Sequence, residues 1–300
     1  MNDNPYDPDH PTRQTWWLGT EGDNRRRLMT STWDLRLERH RLMLDACLRA
    51  EAEGDADVAL EILRNCRGFC TRSWQRLVKE PLRLGNSAPS WVLGRWIRSQ
   101  ALRWMMIEHD ERLARSAREA IDATWMVKIL DVGESFPHEL LVEAAHLDAV
   151  CHHRALYDLG GLADYVDLRL GTPLRERIPM IRQWADSEMA FYNLVSTSGR
   201  YARVIRSDHP AVEVRDLGYF SGLPDGTLFL GRIVPIAERP GHVFEEPPIE
   251  IDPVTAEHIL YGSPSLKLPL WLEALGTAVA EGRMPVGVAS YGPTGFVSDL

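Results

Sequence analysis

The chain has 300 residues, 44% of them hydrophobic and 26% charged, which is typical of globular proteins and excludes a chain that is disordered or of low complexity throughout. At about 150 residues per domain, this length predicts two domains or one large one. The sequence has no run of about 18 uncharged apolar residues and no basic start followed by an apolar stretch, which predicts a cytoplasmic protein without a membrane-spanning helix.

Three regions of different composition follow one another along the chain. Residues 1–19 hold three prolines before Trp16 and Trp17, which indicates a flexible N-terminal tail. Residues 20–170 have a helical pattern nearly throughout, and strand-like alternation begins after them. We therefore predict an α+β fold with a mainly α-helical N-terminal domain at 20–170, built as a helix bundle. An α+β domain at 171–300 follows, with a small antiparallel β-meander or barrel flanked by helices.

Helices in the N-terminal domain are predicted from apolar residues that recur every three to four positions. Their expected ranges are 21–53, 56–80, 90–110 and 137–157. Gly54 closes the first helix, Pro81 ends the second, and Pro89 opens the third. The third helix has apolar residues on nearly every side, which is typical of the central helix of a bundle. Its continuation to 130, bent or broken, stays open as an alternative.

The C-terminal domain begins with a helix at 172–185 that Pro179 disturbs. Five strands are then predicted from alternating apolar residues, at 190–196, 200–206, 211–217, 227–236 and 242–251. Ser198-Gly199 and Asp225-Gly226 separate neighbouring strands. Such dipeptides are typical of hairpin turns, so we expect consecutive strands to pair antiparallel. Further helices are predicted at 253–261 and 268–282.

Charge is placed unevenly, because 62–107 holds nine basic residues and one acidic residue although the whole chain has a net charge of −9. Four tryptophans are interleaved with these basic residues, and phosphate contact combined with base stacking needs such a mixture. The predicted nucleic-acid-binding residues are Arg64, Arg67, Arg72, Arg76, Arg95, Arg98 and Arg103. The alternative is that these arginines pair with acidic residues elsewhere in the protein.

A second set of candidate residues lies on the helix predicted at 137–157. Glu143 and His146 have the Glu-x-x-His spacing that places a carboxylate and an imidazole on one metal ion in helix bundles, and His153 lies on the same face. The pair predicts a site for a divalent metal, and no other cofactor is predicted. Di-metal bundles use two such motifs and this chain has one, so the alternative is a polar helix face in water.

The strand predicted at 200–206 has a basic character of its own. Its three arginines flank Tyr201, and small barrels often bind oligonucleotides. Three acidic residues follow closely, at 208–216, so the net field there is expected to be weak.

Three functions are compatible with these patterns. The first is a non-enzymatic binding or assembly protein that uses 62–107 to contact a nucleic acid or another acidic partner, with binding that weakens steeply with salt. The second is a metal-dependent enzyme with a Glu/His site on the 137–157 helix. The third is a structural protein-interaction module that binds neither. The sequence has no phosphate-binding loop, nucleophile elbow, H-E-x-x-H motif or dinucleotide fingerprint, which argues against those enzyme classes.

Overall fold

The computed structural model describes residues 42–65, 72–124, 151–206, 209–220 and 222–262, together with Ala278, Glu281 and Arg283. Several predicted features lie outside these residues. They are the tail at 1–19, the first part (21–41) of the helix predicted at 21–53, Arg67, Glu143 with His146, and most of the helix predicted at 268–282. Within the described ranges the chain forms helices and a small closed barrel, so the α+β class is confirmed. No described helix is long and apolar enough to cross a membrane.

The described helices before residue 125 are α1 (42–52), α2 (Ala56–Asn65), α3 (Arg72–Leu84), α4 (Ser90–Ile107) and α5 (Glu111–Thr124). The second predicted helix, 56–80, therefore corresponds to two helices. Pro81 lies inside α3 and does not end it, so the predicted stop is wrong. A proline inside a helix loses one backbone hydrogen bond, and α3 tolerates this loss for one more turn, to Leu84.

The third predicted helix is broken. His109 lies between α4 and α5 with a φ of 54°, and a residue in the left-handed region cannot continue a right-handed helix. Of the two open alternatives, a broken continuation is the one found. Most positions of α4 are buried, among them Trp96, Ile97 and Arg98.

The chain is helical at 151–153 and continues into one turn of π-helix, Arg154–Asp158. Gly160 follows with a φ of 79°, which is the left-handed conformation that glycine adopts readily. Three short helices follow: α6 (Gly161–Leu168), α7 (Thr172–Arg177) and α8 (Ile181–Ala185). The predicted interruption at Pro179 falls between the last two of these.

The strands are β1 (Met189–Ser198), β2 (Tyr201–Ile205), β3 (Val212–Arg215), β4 (Leu228–Pro235), β5 (His242–Phe244) and β6 (Ile249–Ile251), and a helix, α9 (Pro253–Gly262), follows them. The first four lie within two residues of their predicted ranges. The fifth predicted strand, 242–251, is two strands separated by four residues.

The strands close into a five-stranded barrel in the order β1-β2-β3-β5-β4, with β4 pairing back to β1 and β6 extending the sheet from β4. Because β3 pairs with β5 in parallel, the prediction that consecutive strands pair antiparallel is wrong for β3 and β4. The connection at 216–227 explains the exception. Phe220 of this connection is buried in the barrel core. The chain therefore crosses the barrel between β3 and β4, and the free edge of β3 pairs with β5 instead.

The helices and the barrel share a hydrophobic core. Val234, Ile236 and Val243 of the barrel belong to the same buried cluster as the helices. Trp184 of α8 joins the two parts, because its indole Nε1 donates a hydrogen bond to the carbonyl of Pro235 at 2.7 Å. Its ring also lies against Gly94 of α4, where a Cβ would be 2.4 Å from the ring. The barrel side that packs on α4 is therefore fixed in position.

Candidate functional site

The break between β5 and β6 creates the most unusual feature of the structure. Both strands pair with the same edge of β4, where Phe244 is opposite Ile233 and Ile249 is opposite Leu230. Between these pairs, β4 has two residues and the other strand has four, 245–248. This is a large β-bulge, with four residues against two, and β-bulges often lie beside active sites.

Sequence explains why the strand breaks here. Pro247 and Pro248 follow Glu245 and Glu246 directly. Prolines cannot donate to the backbone ladder, and a residue before proline is restricted to extended conformations. In a regular strand, consecutive side chains point to opposite faces. In the bulge, Glu245 and Glu246 instead both reach the helices, where they contact Arg98 of α4 and His153.

Arg98 and His153 divide the two carboxylates between them. The Oε1 atoms face Arg98, whose Nη1 is 2.7 Å from Glu246 Oε1 and whose Nε pairs with Glu245 Oε1. The Oε2 atoms face His153, with Nε2 at 2.8 Å from Glu246 and Nδ1 at 3.5 Å from Glu245. One imidazole thus lies between two carboxylates, and one guanidinium holds the far oxygen of each.

These four side chains are almost completely removed from solvent. The side chain of Glu245 is 0% exposed, those of Arg98 and His153 are 6% and 8% exposed, and that of Glu246 is 11% exposed. Burying a charge is unfavourable unless it is paired with an opposite charge and hydrogen-bonded. Each carboxylate therefore depends on the cations beside it.

The pKa values reflect this dependence. Burial by itself would raise the pKa of Glu246, but Arg98 and His153 outweigh it and lower the pKa of this carboxyl to about 2. Burial would lower the pKa of Arg98, but the two carboxylates raise it above its ordinary value. Both groups stay charged at neutral pH.

Tyr157 and Arg232 extend the cluster on one side. Tyr157 comes from the π turn, and its ring stacks on His153 with centroids 5.6 Å apart. The guanidinium of Arg232 lies 3.8 Å from the centre of the Tyr157 ring and 3.7 Å from a carboxylate oxygen of Asp158. Burial and then the charge of Glu245 raise the pKa of Tyr157 well above its usual range, so its hydroxyl stays protonated. Single π turns are frequent at functional sites.

One imidazole and two carboxylates form a set of metal ligands. Among the described residues, His153, Glu245 and Glu246 form a group whose ligand atoms all lie within 4.8 Å of one another. Imidazole nitrogen and carboxylate oxygen are ligands of Zn²⁺, Mn²⁺ and Fe²⁺ in proteins.

Three of the predicted nucleic-acid-binding arginines face the interior. Arg95 donates hydrogen bonds to the carbonyl oxygens of Glu245 and Phe244, at 2.7 and 3.1 Å, and Arg98 pairs with the carboxylates described above. Arg103 pairs with the buried Glu51 at 2.6 Å. Guanidinium groups held in this way inside the protein are not open to a phosphate backbone. For Arg98 and Arg103, the alternative of internal pairing is what the structure shows.

The other four predicted arginines lie in or near α2 and α3 along the chain. Arg64 is exposed on α2, Arg72 and Arg76 lie in α3, and Arg67 lies outside the described residues.

Of the predicted metal residues, Glu143 and His146 lie outside the described ranges, but His153 from the same predicted helix face is in the cluster. His153 is buried, so the alternative of a polar face in water does not apply at this position. The sequence reasoning does not find Glu245 and Glu246, because it predicts a single strand over 242–251. The signal that could have found them is Glu-Glu-Pro-Pro, two acidic residues at a point where prolines must interrupt the ladder.

The cluster offers the Oε2 atoms and the imidazole as ligands for a cation, and it keeps Tyr157 protonated beside a carboxylate. Each of these roles follows from the donor set and the burial. No protein-family model, no curated protein and no solved structure matches this chain.

Proposed function

We propose that this protein binds a divalent metal ion through His153, Glu245 and Glu246 and acts as a metal-dependent enzyme. The observation that carries the proposal is the convergence of these three side chains, with their ligand atoms within 4.8 Å of one another. They come from a helix and from a bulged strand that are far apart in sequence, so the fold itself brings them together.

Arg98 supports this role although it is a cation. It contacts the Oε1 atoms, so a metal ion would take its oxygen ligands from the Oε2 atoms, which face the two ring nitrogens of His153. Groups that hydrogen-bond to ligating carboxylates orient them and raise metal affinity. Two carboxylates and one guanidinium leave one negative charge at the cluster when His153 is neutral, and this charge favours a cation.

The ligand set indicates the kind of metal and of chemistry. Two hard oxygen donors with one imidazole suit Mn²⁺, Fe²⁺ or Zn²⁺ better than Cu⁺. Three protein ligands leave a coordination position open, as catalytic sites do, whereas structural zinc sites use four. A metal ion held by these three residues would supply an activated water near neutral pH. The protonated hydroxyl of Tyr157, next to Glu245, is placed to donate a hydrogen bond to a reacting group.

Metal binding tests the proposal directly. Chelator-treated protein is titrated with Mn²⁺ and with Zn²⁺ by calorimetry, and the metal content of untreated protein is measured by mass spectrometry. We expect about one equivalent to bind, and His153→Ala and Glu246→Gln to weaken binding by at least about tenfold. The matched controls are His242→Ala, at the exposed first residue of β5, and Glu250→Gln, on β6. These should bind like the unchanged protein.

Other outcomes decide against the proposal. If the unchanged protein binds neither metal, or if His153→Ala binds as well as the controls do, the cluster is not a metal site. If His146→Ala alone abolishes binding, the Glu143 and His146 pair predicted from sequence is the site instead. If metal binds but the metal-loaded protein hydrolyses neither model esters nor phosphate esters, the assignment as a hydrolytic enzyme fails.

A further inference from the structure

The outer face of the barrel at β2 and β3 has a composition that the strand register makes clear. Along β2, Ala202 and Val204 are buried in the barrel core, so Tyr201 and Arg203 face outward. In the register, Tyr201 is opposite Arg215 and Arg203 is opposite Glu213. Because directly opposite residues share a face, these four side chains form one outer surface, which we call the β2–β3 face.

The β2–β3 face is basic, and its arginines are available. Arg203 is exposed and Arg215 is half-buried, and Arg200 is exposed in the turn before β2. Within the described part of the chain, no ion pair or side-chain hydrogen bond engages these three arginines. Glu213 is the one acidic residue in the described strand residues of this face.

Two nearby acidic groups, Asp216 and Glu188, have contacts of their own. Asp216 accepts hydrogen bonds from the backbone N–H groups of Gly218 and Tyr219 at 2.8 Å. Its carboxylate therefore stabilises the turn after β3. Glu188 pairs with Arg206 at 3.2 Å. Glu188 and Arg206 offset each other, so neither adds to the net charge of the β2–β3 face.

We infer that the β2–β3 face binds single-stranded nucleic acid, with Arg203 and Arg215 on phosphates and Tyr201 stacked on a base. Diagonal neighbours on paired strands lie about 7–8 Å apart, so the two guanidinium groups can contact different phosphates on either side of one nucleotide. Ser196 and Ser198 are opposite Arg203 and Tyr201 on β1, where their hydroxyls add hydrogen bonds to the sugar-phosphate backbone.

Tyr201 favours a single strand over the other acidic partners. Stacking on an aromatic side chain needs a base that is not already stacked in a duplex. An acidic protein would use the arginines but would gain little from the ring. Because the whole chain has a net charge of −9, the attraction is local and is screened by salt. The inference does not depend on the metal proposal, since none of these residues belongs to the buried cluster.

Fluorescence anisotropy with labelled oligothymidylate of about 12 nucleotides tests the inference, a length within the range that small barrels bind. The titration is done at about 50 and 200 mM salt, with and without chelator. We expect Arg203→Gln with Arg215→Gln to weaken binding about tenfold or more. The slope of log K against log salt should become shallower by about 1.4, because each of the two lost phosphate contacts on a single strand contributes about 0.7. Tyr201→Leu should weaken binding but leave the salt dependence unchanged.

The control is a double variant with the same loss of charge elsewhere, Arg64→Gln with Arg83→Gln. Both residues are exposed on the helical part, within the basic segment 62–107. If this control loses binding and the β2–β3 variant does not, the basic segment is the surface and the inference is overturned. It is also overturned if no oligonucleotide binds at low salt, if a duplex competes as well as the single strand, or if only an acidic polypeptide such as polyglutamate binds. Circular dichroism confirms that each variant remains folded.

Discussion

Arg98 is the cation that both bulge carboxylates share, and its removal tests whether the cluster is buried and paired as described. In Arg98→Met the stem of the side chain is kept and the guanidinium is lost. Glu245, which is 0% exposed, then keeps His153 Nδ1 at 3.5 Å and the Tyr157 hydroxyl beside it, but no guanidinium from Arg98. Removing one partner of a buried ion pair costs about 3–5 kcal/mol of unfolding free energy, and we expect a loss in this range.

The matched control is Arg83→Met. Arg83 is 73% exposed, and its nearest carboxylate oxygen, on Glu80, is 3.9 Å away. Exposed pairs of this kind contribute about 0–1 kcal/mol. A second comparison is the double variant Arg98→Met with Glu245→Met, which replaces the pair by apolar groups. Such replacements are often nearly neutral, so the double variant should be more stable than Arg98→Met alone.

Urea unfolding followed by tryptophan fluorescence measures all of these proteins. The decisive quantity is the difference in unfolding free energy between each variant and the unchanged chain, provided that the slopes agree. If Arg98→Met loses less than about 1 kcal/mol, no more than an exposed pair contributes, then Arg98 is not a buried partner of the carboxylates. In that case the prediction of a basic surface at 62–107 regains one of its central residues.

Three further predictions use the same assay. Gly94→Ala should destabilise the protein by about 1–3 kcal/mol, because the added Cβ would lie 2.4 Å from the Trp184 ring. This overpacking outweighs the gain of about 1 kcal/mol in helix propensity. A net gain in stability would contradict the packing. Arg103→Met should cost about 1–3 kcal/mol because it removes the guanidinium that lies 2.6 Å from the buried Glu51; a change near zero would refute the pairing. Since the pKa of Glu246 falls from 4.5 to about 2 on folding, its contribution of about 3 kcal/mol is present above pH 4.5 and is lost as the pH falls through 2. Glu246→Gln should flatten this acid dependence, and an unchanged profile would show that another group is responsible.

Local signals were enough to place most elements from sequence. Pro179 lies between α7 and α8, Pro89 comes directly before α4, and Ser198-Gly199 lies at the turn from β1 to β2. Each of these signals acts through the conformation of one or two residues. Their consequences are therefore visible without knowledge of the fold, and β1 to β4 were predicted within two residues.

Strand order and charge pairing could not be predicted in this way. The parallel pairing of β5 with β3 depends on how the connection at 216–227 packs Phe220 into the barrel, and no local pattern encodes it. The partners of Arg95 and Arg98 lie at 244–246, about 150 residues away. A count of charges along 62–107 describes neighbours in the chain, whereas ion pairs depend on neighbours in space.

Stability alone does not account for the buried cluster. Apolar residues of similar volume at these positions would stabilise the fold as well as the ion pairs do. Two local irregularities, the bulge at 245–248 and the π turn at 154–158, also meet at His153 and Tyr157. Each departs from regular hydrogen bonding, and such departures are concentrated where function requires side chains in special positions. The bulge turns two carboxylates to the same side and the π turn brings Tyr157 against His153, so both irregularities serve one constellation, which supports a chemical role for it.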